Sequence, residues 1–135
     1  MTAENINAKQ DEIIIEFSRL DDWFEKYEYL INLGQTLPDE YRASRIEQNQ
    51  INGCQSQVWL KTEQKDDRVY YTADSDALIT RGILALLLKV LNGQRQKDIK
   101  NCDLYFINKT GLASNLSPSR ANGLSLIVKQ MMKLD

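Results

Sequence analysis

Histidine is missing from all 135 residues. Its absence excludes Ser-His-Asp hydrolysis, Cys-His proteolysis and any imidazole-ligated metal site within this chain. Chemistry here has to run on cysteine, serine, tyrosine, lysine or carboxylates. Cysteine is scarce: Cys54 and Cys102 stand far apart, in no Cys-x-x-Cys spacing and with no other ligands beside them. Zinc or iron–sulfur ligation by this chain alone is therefore not expected, nor is a structural disulfide in a reducing cytosol. A basic excess is also lacking. Lys and Arg number 17 against 19 Asp and Glu, a net charge of −2, which argues against a nucleic-acid binder. The most apolar run, Ile83 to Leu88, is closed by Lys89, far short of the ~20 residues of a membrane span. No phosphate-cradling or dinucleotide motif is present. The opening Met1-Thr2-Ala3-Glu4-Asn5 is polar, so no secretory signal is expected and the cytoplasm is the expected compartment. A plastid is the alternative if a transit peptide has been removed.

What is present is an ordinary globular composition, 42% apolar and 27% charged. The length suits one domain over residues 1–135, large enough to fold without metal or disulfide. Residues 6 to 20 place Ile13, Ile14, Phe17 and Leu20 near helical spacing. A second helix is expected from Asp22 to Leu33, with Asp22 and Glu25 as an acidic capping box. Its expected buried stripe is Trp23, Phe24, Tyr27, Leu30 and Ile31, and Gly34 is expected to end it as a left-handed residue. From Gln57 the period changes to two, and with a turn at Asp66-Asp67 and Arg68 to Ala73 beyond it, a β-hairpin is expected. Asp74 or Ser75 is expected to cap a long buried helix reaching Leu91, with Gly93 after it. Residues 103–107 suit a short edge strand, and Ser117-Pro118 opens a C-terminal helix. The resulting fold class is α+β, helices packed on a small antiparallel sheet.

One segment invites chemistry. Cys54 follows Gly53 at the end of a polar stretch, Arg45 to Asn52, just before the first strand. Glycine gives the backbone freedom there and a loop gives access. On composition and spacing alone a buried cysteine acting as a small hydrophobe is still the favoured reading for Cys54, and more strongly so for Cys102. Asp74-Ser75-Asp76 reads first as a helix cap, with an acidic rim around a site as a further role. Arg120 stands in the first turn of the last helix, where the helix dipole disfavours a cation, so a carboxylate or a partner is expected to hold it.

The run Gly53-Cys54-Gln55-Ser56-Gln57-Val58-Trp59 resembles the signature around the sulfur-accepting cysteine of the SufE family, which includes the related CsdE proteins. Three more blocks agree in order and spacing: Tyr27 to Pro38, Ala73 to Ala77 with Arg81-Gly82, and Leu116 to Arg120 with Asn122-Gly123-Leu124. The resemblance implies a SufE/IscU-like α+β fold. It also implies a sulfur carrier that stimulates a cysteine desulfurase of the SufS or CsdA kind, a covalent carrier and activator more than a stand-alone enzyme. Pyridoxal phosphate would belong to that partner alone, and this chain would bind no cofactor. Cys54 would hold the sulfur as a persulfide and relay it to an iron–sulfur assembly scaffold. Gly53, Gln55, Ser56, Asp74, Ser75, Asp76 and Arg120 would support the loop or the partner face. The rivals are a non-catalytic regulatory module and a cluster-assembly scaffold; two cysteines without histidine disfavour the latter.

Overall fold

The computed structural model describes residues 5–134, so the reading of the first residues as a non-signal lies, from Met1 to Glu4, outside the described part. Helix α1, Ile6–Ser18, starts at Asn5, whose side chain accepts the Ala8 N–H at 2.7 Å. It buries Ile6, Gln10, Ile13 and Phe17, one stripe at helical spacing. Helix α2, Trp23–Gly34, begins with Asp22 accepting from Glu25 N, while the Glu25 carboxylate reaches back to Asp21 N. This is the expected capping box with its return contact one residue earlier.

The stripe of α2 is narrower than the sequence suggested. Trp23, Tyr27, Leu30 and Gly34 recur at intervals of three and four and turn inward, whereas Phe24, one residue off that row, is 79% exposed. Gly34 does not end the helix in a left-handed conformation. It lies within α2 and is buried where α2 crosses helix α3, Leu78–Leu91. A methyl added at Gly34 would come within 2.8 Å of Gly82 N, and one at Gly82 within 2.1 Å of Leu30 O. The two glycines thus let the helix backbones touch. After Gly34 the chain tightens through 3₁₀-type bonds before Pro38.

Strands β1, Val58–Lys65, and β2, Arg68–Ser75, form an antiparallel hairpin in register from Val58↔Ser75 to Lys65↔Arg68. Asp66 takes φ 59° in its two-residue turn. Its base is buried through Val58, Trp59 and Leu60, and its tip stands in solvent. Along β2, Val69, Tyr71 and Ala73 face inward alternately. The central helix α3 buries Ile83, Leu84, Leu86, Leu87, Leu88, Val90 and Leu91, each fully buried aliphatic side chain contributing ~1.5–3 kcal/mol. Leu78, at its start, is exposed instead. Gly93, at φ 79°, turns the chain so that residues 92–95 cover the outer edge of β2, with Gly93 N donating to Val69 O and Val69 N to Gln94 O.

That cover decides the next segment. Residues 103–107 form no strand. Helix α4, Gln96–Asn101, is followed by a turn into the short helix α5, Phe106–Lys109. The edge a third strand would need is taken, and the side chain of Gln10 on α1 supplies the bonds instead. This fully buried amide accepts from Phe106 N at 3.1 Å and donates to Asp103 O at 3.0 Å. Asp74 and Ser75 do not cap α3 either; they finish β2, and Ala77 occupies the cap position without a side-chain bond. Helix α6, Pro118–Met131, begins as expected, with Ser117 accepting from Arg120 N and Pro at the first position. It buries Gly123, Leu124, Ile127 and Met131, and Tyr71 OH donates to Met131 O at 2.6 Å. Helices packed on a small antiparallel hairpin make an α+β fold.

Candidate functional site

Cys54 sits on a short loop held at both ends. On one side Ile51 N donates to Val58 O at 2.9 Å and Gln50 bridges to Trp59. On the other, Gln57 N donates to the Asp76 carboxylate at 3.0 Å, and Gln57 O accepts from Ser75 Oγ at 2.8 Å and from Asp76 N. Between these clamps, residues 52–56 make no regular structure. Gly53 takes φ +92°, a conformation open to glycine and strained for a residue with a Cβ. This turn directs Cys54 back against α6.

The thiol is half-buried, its Sγ 4.0 Å from the Gly123 carbonyl of α6. Burial pushes the Cys54 thiol up from its ordinary value, so the resting side chain is the neutral, poorly nucleophilic form. A narrow cleft opens beside it, walled by Val58, Ile83, Leu124 and Ile127 and edged by Thr80, Ser119 and Arg120. Arg120 is exposed and makes no ion pair among the described residues, so the carboxylate expected to hold it is not found there. Gln55 and Ser56 line the same cleft.

Asp74, Ser75 and Asp76 lie behind the loop and are absent from the cleft lining. Asp74, 1% exposed, stands between two guanidinium groups. Arg45 Nε donates to one carboxylate oxygen at 2.8 Å, and another Arg45 nitrogen donates to Ser75 O. Arg81 Nε lies 3.1 Å from the other oxygen, close enough for charge pairing, but its N–H is not aligned for a hydrogen bond. Arg45 also lies over the Trp59 ring, 4.9 Å from its centroid. The acidic triplet is an anchor that fixes the base of the loop to the hairpin. An Asp closing a strand-forming run is the signal for such an anchor, but one of its two arginines, Arg45, comes from a distant segment. A glycine inside the apolar pattern of the last helix was the signal for the other unforeseen neighbour, Gly123.

Cys102 has a different setting. It follows α4, half-buried against the core and next to a wide groove with Asn5, Asn7 and Asp98. Burial raises its pKa as well, with Asp103 adding to the effect.

The SufE model, described as an Fe-S metabolism associated domain, matches residues 11–134. The chain belongs to the SufE family. An uncharacterized SufE-like protein of Rhizobium meliloti strain 1021 is 39% identical over 126 residues, covering 90% of each chain. Another, from Rhizobium etli, is 40% identical over 129 residues, covering 92% of this chain and 87% of that one. A third SufE-like protein, from Synechocystis, is 39% identical over 119 residues, covering 88% and 75%. The solution structure of a hypothetical protein from Thermus thermophilus superposes with a TM-score of 0.73 at 17% identity, covering 92% of this chain and 90% of that one. At that identity the likeness concerns the SufE-like fold alone. None of the described helices is long and apolar enough to cross a membrane.

Proposed function

We propose that this SufE-family protein is a cytoplasmic sulfur carrier. Cys54 takes sulfane sulfur from the persulfide of a pyridoxal-phosphate cysteine desulfurase of the SufS or CsdA kind, stimulates that enzyme by relieving it of sulfur, and passes the sulfur to iron–sulfur assembly. The observation that carries the reading is a glycine-hinged loop, clamped at both ends, with a thiol at its centre tucked beside a one-sided cleft. A cysteine serving only as core filler needs no hinge and no cleft.

The step balances without an outside oxidant. Cys54 thiolate attacks the outer sulfur of the donor R–S–SH; a Cys54 Sγ–S bond forms, the donor S–S bond breaks, and R–S⁻ leaves with the bonding pair. The sulfur moves at its existing oxidation level. The resting thiol, its pKa raised by burial, is a weak nucleophile. Leaving the cleft on docking removes that desolvation, and Gly53 provides the backbone freedom for the movement. Arg120, exposed at the rim, supplies a cation toward the partner.

The test is mass spectrometry after incubation with a desulfurase and L-cysteine. One added sulfur on the peptide carrying Cys54 is expected. Continued desulfurase turnover with no sulfur on that peptide would leave the chain a regulatory module.

A further inference from the structure

Three glycines lie inside the long helices, and two have a steric reason. Gly34 and Gly82 sit where added methyls would strike backbone atoms at 2.8 and 2.1 Å. Gly123, in the middle of α6, has none. A methyl there would meet nothing closer than Cys54 Sγ at 3.7 Å and Cys54 Cβ at 3.9 Å, ordinary van der Waals contacts. Glycine in a helix interior costs about 1 kcal/mol relative to alanine. Its φ is not in the left-handed region, so conformation does not require it. The resting molecule thus carries a destabilising residue it does not need, and that residue faces the thiol.

The loaded molecule does need it. The outer sulfur of a persulfide lies about 2.05 Å beyond Sγ. The cleft beside Sγ is small but large enough for one added atom, about 20 Å³ where ~10–15 Å³ suffices to hold a single water. A methyl on Gly123 would form part of that wall and compete with the second sulfur for the same space. The geometry points to Gly123 as a positioning residue that keeps a one-atom seat vacant for the sulfane sulfur of Cys54 persulfide, and this rests on the carrier reading above. Val58, Ile83, Leu124 and Ile127 close the seat on its apolar side.

The test loads Cys54 chemically, with a small organic hydropersulfide whose outer sulfur the Cys54 thiolate attacks as the alkyl thiolate leaves, in a Cys102→Ser background, so the outcome does not depend on the desulfurase. Loss of sulfane sulfur is followed as thiocyanate released by cyanide, which removes the outer sulfur and leaves the thiol. Gly123→Ala favours the helix, so its thermal midpoint should equal or exceed that of the parent. Labelling of unloaded Cys54 by a bulky thiol reagent should stay unchanged. The loaded variant should lose its sulfur on the order of ten-fold faster, the scale set by forcing one more heavy atom into a filled site. Equal persulfide lifetimes in parent and variant would overturn the inference. So would an equal acceleration of unloaded labelling, because Gly123 would then merely seat the thiol. Absence of enzymatic loading, with the lifetime difference intact, would remove the carrier reading and leave the seat.

Discussion

Cys54 and Cys102 share the properties by which reactive thiols are usually sorted, yet their surroundings differ in kind. Both are half-buried, and burial raises the pKa of both. Cys102 ends a helix with its backbone N–H bonded to Ile99 O and borders a wide groove. Cys54 hangs between two clamps, behind a glycine at φ +92°, against a helix that offers it a carbonyl and a gap. Exposure and acidity describe the resting side chain. What separates the two is how much backbone can move with each sulfur, and what it moves away from.

The largest expected difference is total. Cys54→Ser should abolish sulfur loading and desulfurase stimulation, and Cys102→Ser should leave both close to the parent. A hydroxyl fits where a thiol fits but holds no sulfane sulfur. Loading of Cys54→Ser at the parent rate would make the two sites equivalent and the assignment wrong.

Next comes the hinge. Valine at position 53 would carry ~1–3 kcal/mol of backbone strain at the observed φ, and its Cβ would lie 3.0 Å from a Leu126 methyl. Gly53→Val should therefore unseat the loop and raise labelling of Cys54 by a bulky reagent about ten-fold. Cys102 labelling should not change. Equal rates in parent and variant would mean that the resting loop is already open.

A smaller effect is expected at the rim. Arg120→Glu should weaken desulfurase binding several-fold and flatten its dependence on salt, since exposed charges act mainly through encounter. Binding that is unchanged across a salt series would return Arg120 to the solvent.

The smallest is a pH effect on stability. For each cysteine the folded pKa lies above the ordinary 9.0. The stability carried by the neutral thiol is complete below that value and lost as pH rises through the folded pKa. Each Cys→Ser variant should remove its share of the alkaline decline in denaturation midpoint. A decline identical in the parent and both variants would assign it to other groups.

Much of this was legible along the chain where local rules act alone. The hairpin, the Asp22–Glu25 box, the Ser117-Pro118 start and the Cys54 loop all follow from period, caps and turn residues within a few positions. The failures share one cause, a partner remote in sequence. The apolar run at 104–107 is too short for its period to separate strand from helix, and Gln10 decides it. Asp74 and Ser75 have strong cap preferences, but Arg45, Arg81 and Gln57 take them. Gly34 obeys the crossing with α3 over the helix-end rule. Within the site, the loop and Arg120 on α6 were expected from the sequence, whereas Gly123 on the same helix was not.

The two clamps also act as a tether of fixed length. With Ile51 bonded to Val58 and Gln57 tied to Ser75 and Asp76, only residues 52–56 are free to unfurl. At ~3.3–3.6 Å per extended residue, and with both ends held side by side, the tip of so short a loop reaches no more than roughly 10 Å from its anchors. On the proposed carrier function, that length sets the depth from which this cysteine would collect sulfur. A donor sulfur buried deeper than that below its own surface stays beyond reach unless it rises to meet the loop. The same radius would confine a loaded Cys54 to acceptors that press directly against this face.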